Sequence, residues 1–101
     1  WAAIDPATRA NGCMQVLPGS HKTGALPHHR GEDFMIDESG IDRAQVRHVE
    51  MDPGDVLFFN VLLLHASDRN HSPTARLASI VDYEARPRPD GHRYGSDEPL
   101  R

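Results

Sequence analysis

The stretch Gln45-Val-Arg-His-Val-Glu-Met-Asp-Pro-Gly-Asp-Val-Leu-Phe-Phe59 reads as strand, tight turn, strand. From Gln45 to Met51, Val46 and Val49 are separated by polar residues, the pattern of a short half-exposed strand. Asp52-Pro53-Gly54-Asp55 is a tight turn, because Pro pre-sets φ at the first central position and Gly accepts a positive φ at the second. In that turn Asp55 is expected to accept a hydrogen bond rather than to hold a metal. Val56 to Phe59 is a continuous apolar run and predicts a buried strand. Period-two alternation sends Phe58 and Phe59 to opposite faces, one to the core and the other lining a barrel.

The same grammar extends outward. Trp1 to Asp5 predicts a strand, Asn11-Gly12 a turn, and Cys13 to Leu17 a strand stopped by Pro18-Gly19. Ser20 to Arg43 is polar and weakly periodic, and reads as a long loop with one helical turn. Val61 to Leu64 is an apolar run that closes on His65, Ser67 to Thr74 is a polar loop, and Ala75 to Tyr83 is a final strand. The tail from Arg86 carries Pro87, Pro89 and Pro99 and is expected to be extended. Short strands without a strong helical pattern predict an all-β fold. So few strands leave open sheet edges, and Trp1 already stands within an element. Both features lead to the expectation of a chain whose N-terminal strands are missing.

Bulk properties narrow the function. The chain has 101 residues, with 11 Lys and Arg against 15 Asp and Glu, a formal net charge of −4. No basic block supports nucleic-acid binding. The longest apolar run is too short to span a bilayer, so no membrane partner is expected. The single cysteine, Cys13, excludes an internal disulfide and fits a reducing cytosol, and it reads as a packing residue. A small-molecule substrate is the expected partner.

Seven histidines direct attention to metal binding. There is neither a Cys pair nor a His-Glu-x-x-His, which argues against zinc. The sharpest feature is His65-Ala-Ser67, followed by Asn70, Ser72 and Arg76. A histidine at the rim of a buried strand can hold a metal, and an arginine offers a fixed fork of donors to a carboxylate. If their strands are antiparallel neighbours, both side chains can face one cavity. Spacing alone also allows a satisfied core histidine and a surface ion-pair arginine. His21 is expected near the cavity mouth, His28 and His29 in the long loop, and His71 and His92 at the surface.

Three segments in order resemble the phytanoyl-CoA dioxygenase family: Trp1-Ala-Ala-Ile-Asp with Asn11-Gly-Cys-Met-Gln-Val-Leu-Pro-Gly-Ser-His-Lys22, then Pro53-Gly-Asp-Val-Leu-Phe-Phe59, then His65-Ala-Ser67 with Asn70, Ser72 and Arg76. The resemblance runs from Trp1 to about Tyr83. It implies a partial double-stranded β-helix, a cupin-like jelly roll, over 1–85 and a tail over 86–101. It implies Fe(II) held by two histidines and one carboxylate, with 2-oxoglutarate as co-substrate. By the same resemblance His65 is the distal iron ligand and Arg76 the anchor of the far 2-oxoglutarate carboxylate. Ser67 and Trp1 match positions that also line the co-substrate site.

One departure stands out. The family's His-x-Asp/Glu motif precedes the tryptophan segment, and the one His-x-acid here, His48-Val49-Glu50, falls where the family has an ordinary strand. The 101 residues alone are therefore expected to be inactive and to bind iron weakly. A charge-transfer band on anaerobic titration with Fe(II) and 2-oxoglutarate would count against that. The alternative is a cupin-type binding protein or isomerase without 2-oxoglutarate, which needs neither Arg76 nor the Pro-Gly-Ser-His block.

Overall fold

A computed structural model describes residues 1–30 and 34–83. Seven short strands appear among them: β1 (Ala2–Ala3), β2 (Met14–Val16), β3 (His28–Arg30), β4 (Phe34–Ile36), β5 (Arg47–Val49), β6 (His65–Ser67) and β7 (Ala78–Ser79). Helical structure among the described residues is limited to 3₁₀ turns at Ser20–Thr23, Glu38–Gly40 and Arg43–Gln45. The fold is all-β, as the short punctuated pattern predicts.

Two sheets carry the architecture. In the first, β2 is central, with β5 on one side and β6 on the other, both antiparallel. In the second, β1 pairs with β7, and on its other edge Ala2 bridges Val56. The amide of Leu57 donates to the carbonyl of Trp1 at 2.8 Å, and that of Ala3 to Asp55 at 3.0 Å. A bridge between Ala7 and Met51 ties the two sheets. Ala3, Ala7, Cys13 and Met51 form the buried cluster, with Trp1, Val49 and Leu57 packed against it. Three of those four buried side chains are small, so the core is thin and depends on close approach of backbones.

The two anticipated turns are present. Gly54 has φ +93°, the Asp55 amide donates to Asp52 O at 3.0 Å, and Asp55 Oδ2 accepts from the Asp52 amide at 2.9 Å. At Asn11-Gly12, Gly12 has φ +80°, and a Cβ there would stand 2.2 Å from the Asp68 carbonyl oxygen. Only glycine permits both that conformation and that approach.

Several expectations are corrected. The segment from Ser20 to Arg43 is no plain loop: β3 and β4 form an antiparallel hairpin, and Asp37 and Asp42 cap the following 3₁₀ turns by accepting from Ser39 N and Ala44 N. Val56 to Phe59 is not a buried strand. Its backbone pairs with β1, but Val56 is 51% and Phe58 78% exposed, and the half-buried Phe59 packs on His65 instead of joining the core cluster. The run before His65 does not end a strand. Asn60 folds it into a turn, accepting from Leu62 N through Oδ1 and from Leu63 N through its carbonyl, and β6 begins at His65. The last strand shrinks to Ala78–Ser79, with Ile80, Val81 and Tyr83 exposed. The tail, with His92, lies outside the described residues.

Candidate cofactor and metal site

The register of the first sheet places the residues of interest. Val16 stands opposite His65 and Met14 opposite Ser67, while Gln15 lies between His48 and Ala66. Alternation therefore puts His65 and Ser67 on one face and His48 on the other. A cavity of about 530 Å³ has Val16, Leu26, Ile36, Leu62, His65 and Ser67 in its wall.

The His65 ring is exposed, yet its orientation is determined. Nδ1 lies 2.7 Å from the carbonyl oxygen of Leu63, which can only accept, so Nδ1 carries the proton. In the neutral ring that leaves the lone pair on Nε2, the form in which imidazole binds a metal. Phe59 leans on the ring, with centroids 4.7 Å apart and planes tilted by 57°.

Arg76 and Trp1 form a second pair. The Arg76 guanidinium carbon lies 5.3 Å from the centroid of the Trp1 ring, within cation–π range. Its Nε donates to the carbonyl of Asn11 at 3.1 Å. With Nε used in this way, the end-on fork of the two Nη groups is what remains for an anion. Arg76 is half-buried, and no carboxylate among the described residues pairs with it.

These two pairs are not on adjacent strands, which corrects the antiparallel-neighbour expectation. β6 pairs with β2, whereas Arg76 leads into β7, which pairs with β1. The chain between them changes sheet. Asn70 shapes the crossing: its Oδ1 accepts from the amide and hydroxyl of Ser72, and its Nδ2 donates to Thr74 O. His71 is exposed as expected, and its amide donates to Ala10 O at 2.9 Å. Neither Trp1 nor Arg76 lines the cavity beside His65. The Asn11-Gly12 turn links the pairs, since Asn11 O holds Arg76 and Gly12 packs on Asp68, the residue after Ser67.

Sequence reasoning missed three contributors. Asn11 acts through its carbonyl, which no residue type signals. Phe59 touches His65, and only its apolar character was visible. Ser20, inside the Pro-Gly-Ser-His block, is buried and hydrogen-bonds the Leu64 amide just before His65. Cys13 is a packing residue as read: burial, with Glu50 adding a smaller repulsion, holds its thiol pKa above the ordinary value.

The donor chemistry of His65 suits one position of a metal site. Among the described residues no group of three His, Cys, Asp or Glu side chains is placed to hold a metal ion. His48 faces away from His65, and Glu50 accepts from the Arg9 amide at 3.0 Å. That pair therefore does not complete the ligand set.

Comparison with known proteins agrees with the motifs. The family model for phytanoyl-CoA dioxygenase matches residues 1–78. A protein described as a probable phytanoyl-CoA dioxygenase from Caenorhabditis elegans is 37% identical over 94 residues, covering 82% of this chain and 29% of the relative. The peroxisomal phytanoyl-CoA dioxygenase of Homo sapiens is 36% identical over 90 residues, covering 77% of this chain and 25% of its own length. A methylphosphonate hydroxylase from Gimesia maris is 35% identical over 83 residues, covering 82% and 31%. The chain thus spans between a quarter and a third of the length of these relatives. No solved structure gives a significant match. With the motifs matched in order and the family model covering most of its length, this chain belongs to the phytanoyl-CoA dioxygenase family.

Proposed function

We propose that this chain contributes the distal histidine and the co-substrate arginine of an Fe(II)- and 2-oxoglutarate-dependent oxygenase that hydroxylates an aliphatic C–H bond of a small molecule. The reaction balances as R–H plus 2-oxoglutarate plus O2 giving R–OH, succinate and CO2. Iron, when bound, supplies the activation of oxygen. In this reading the chain's own residues bind and orient. His65 presents Nε2, Arg76 takes the far carboxylate end-on, and Ser67 and Trp1 flank the co-substrate.

One observation carries the proposal. Arg76 is a half-buried cation with Nε fixed by Asn11 O, the Trp1 ring alongside, and no carboxylate partner among the described residues. Such a group is complementary to an acidic ligand. A cupin-type protein without an acidic co-substrate has no use for it. The family does not define the substrate, since relatives named for phytanoyl-CoA and for methylphosphonate both match.

Because the 101 residues alone are expected to be inactive, the test is succinate formation by the full-length protein that carries this chain, supplied in air with Fe(II) and 2-oxoglutarate. Succinate is expected to appear only when both are present, and to be lost in His65→Ala. Succinate release that survives His65→Ala, or none in the parent across alkyl-acid and phosphonate substrates, would refute the assignment.

A further inference from the structure

The ladder between β2 and β6 contains an irregularity beside His65. Gln15 stands opposite Ala66 and Val16 opposite His65, and one step further in the same register Leu17 meets Leu64. A regular pair at that position would exchange two backbone hydrogen bonds. One is made, from Leu17 N to Leu64 O at 2.9 Å. The return bond is replaced by a side chain. The Leu64 amide donates to Ser20 Oγ at 2.8 Å, and Ser20 Oγ donates to Leu17 O at 2.7 Å. A serine hydroxyl is thus wedged into the gap, closing it by one acceptance and one donation.

The wedge is specified by its surroundings. Ser20 is only 8% exposed, and its own amide donates to Leu17 O at 3.2 Å. Gly19, at φ +82°, turns the chain back so that the hydroxyl reaches the gap. The hydroxyl therefore holds the backbone of Leu64. Leu63, the residue before it, supplies the carbonyl that orients the His65 ring. We infer that Ser20 is a positioning residue for His65, setting the ring's place through the 63–65 backbone. This rests on the proposed ligand role of His65 for its functional meaning, but the geometric effect stands apart from it.

The experiment compares the full-length protein that carries this chain with its Ser20→Ala and His65→Ala variants. Three quantities are read: the ring ¹⁵N resonances of His65 without metal, anaerobic Fe(II) affinity, and thermal stability. In Ser20→Ala the His65 resonances are expected to move and Fe(II) affinity to fall by up to roughly tenfold, the low end of the cost of losing a direct partner of a metal ligand, because Ser20 reaches the ring only through the 63–65 backbone. A lowered melting temperature with unchanged His65 resonances and unchanged Fe(II) affinity would overturn the inference, leaving Ser20 a packing residue. His65→Ala separates the two levels. If it leaves Fe(II) affinity intact, the ligand assignment fails, and the resonance shift alone decides the role of Ser20. Should Ser20→Ala not fold, the parent protein answers through reciprocity. Fe(II), or Zn(II) as a diamagnetic probe, must then slow exchange of the Leu64 amide by up to the same roughly tenfold factor. Exchange indifferent to metal would overturn the inference.

Discussion

His65 and Arg76 are held in different ways. The His65 ring is oriented by a carbonyl two residues away, on an exposed strand edge. The Arg76 guanidinium is held across the fold, by a carbonyl 65 positions earlier and by the ring of Trp1. The contact that fixes the His65 tautomer is local and survives partial loosening of the domain, although the ring's place still needs β2–β6 pairing and Ser20, whereas the hold on Arg76 exists only when both sheets are assembled. The two halves of the candidate site thus depend on the fold to different degrees, and the Asn11-Gly12 turn is where they meet.

Gly12→Ala attacks that junction and is expected to have the largest effect. The positive φ alone costs roughly 1–3 kcal/mol for a residue with a Cβ. The added carbon would also meet the Asp68 carbonyl oxygen at 2.2 Å, and backbone cannot swing aside as a side-chain tip can. Urea unfolding should show a clearly lower midpoint, with 2-oxoglutarate affinity reduced more than the metal affinity contributed by His65. Parent-like stability would mean that the turn does not join the two halves.

Arg76→Lys separates the halves without breaking the turn. Lysine cannot donate to Asn11 O and present a two-pronged fork at once. In the full-length protein, loss of one charge-assisted hydrogen bond corresponds to roughly a ten- to hundredfold rise in KM for 2-oxoglutarate. Fe(II) affinity measured without the co-substrate should stay at the parent value. A parallel loss of both would show that the pairs act as one unit.

This division was only partly legible in the sequence. Asp52 to Asp55 and Asn11-Gly12 announce their turns because Pro and Gly restrict or release φ, a local property. His65 with Ser67 on one face follows from period-two alternation, also local. The hairpin of β3 and β4 was hidden because His28-His29-Arg30 has no apolar alternation to mark a strand. The assignment of His65 and Arg76 to different sheets was hidden because a loop of about ten residues can close a hairpin or cross between sheets. The choice is made by Asn70 and by the docking of His71 N on Ala10 O, long-range terms that spacing does not record. Ser20 was visible within its motif, but its use as a backbone surrogate depends on a gap that exists only after β2 and β6 have paired.

Phe59→Leu tests the local half and should have the smallest effect. The tilted ring contact with His65 at 4.7 Å is of the kind worth about 0.5–1.5 kcal/mol beyond simple burial. Leucine keeps an apolar neighbour, and the Nδ1 contact with Leu63 O does not involve Phe59. The His65 tautomer, read from its ring ¹⁵N resonances, should therefore persist, with stability lowered by no more than about that energy. The KM for 2-oxoglutarate should not move, because Arg76 takes its hold from Asn11 and Trp1. If the tautomer changes instead, the His65 ring is held by its aromatic neighbour as much as by its own backbone, and the contrast between a local and a long-range hold loses its basis.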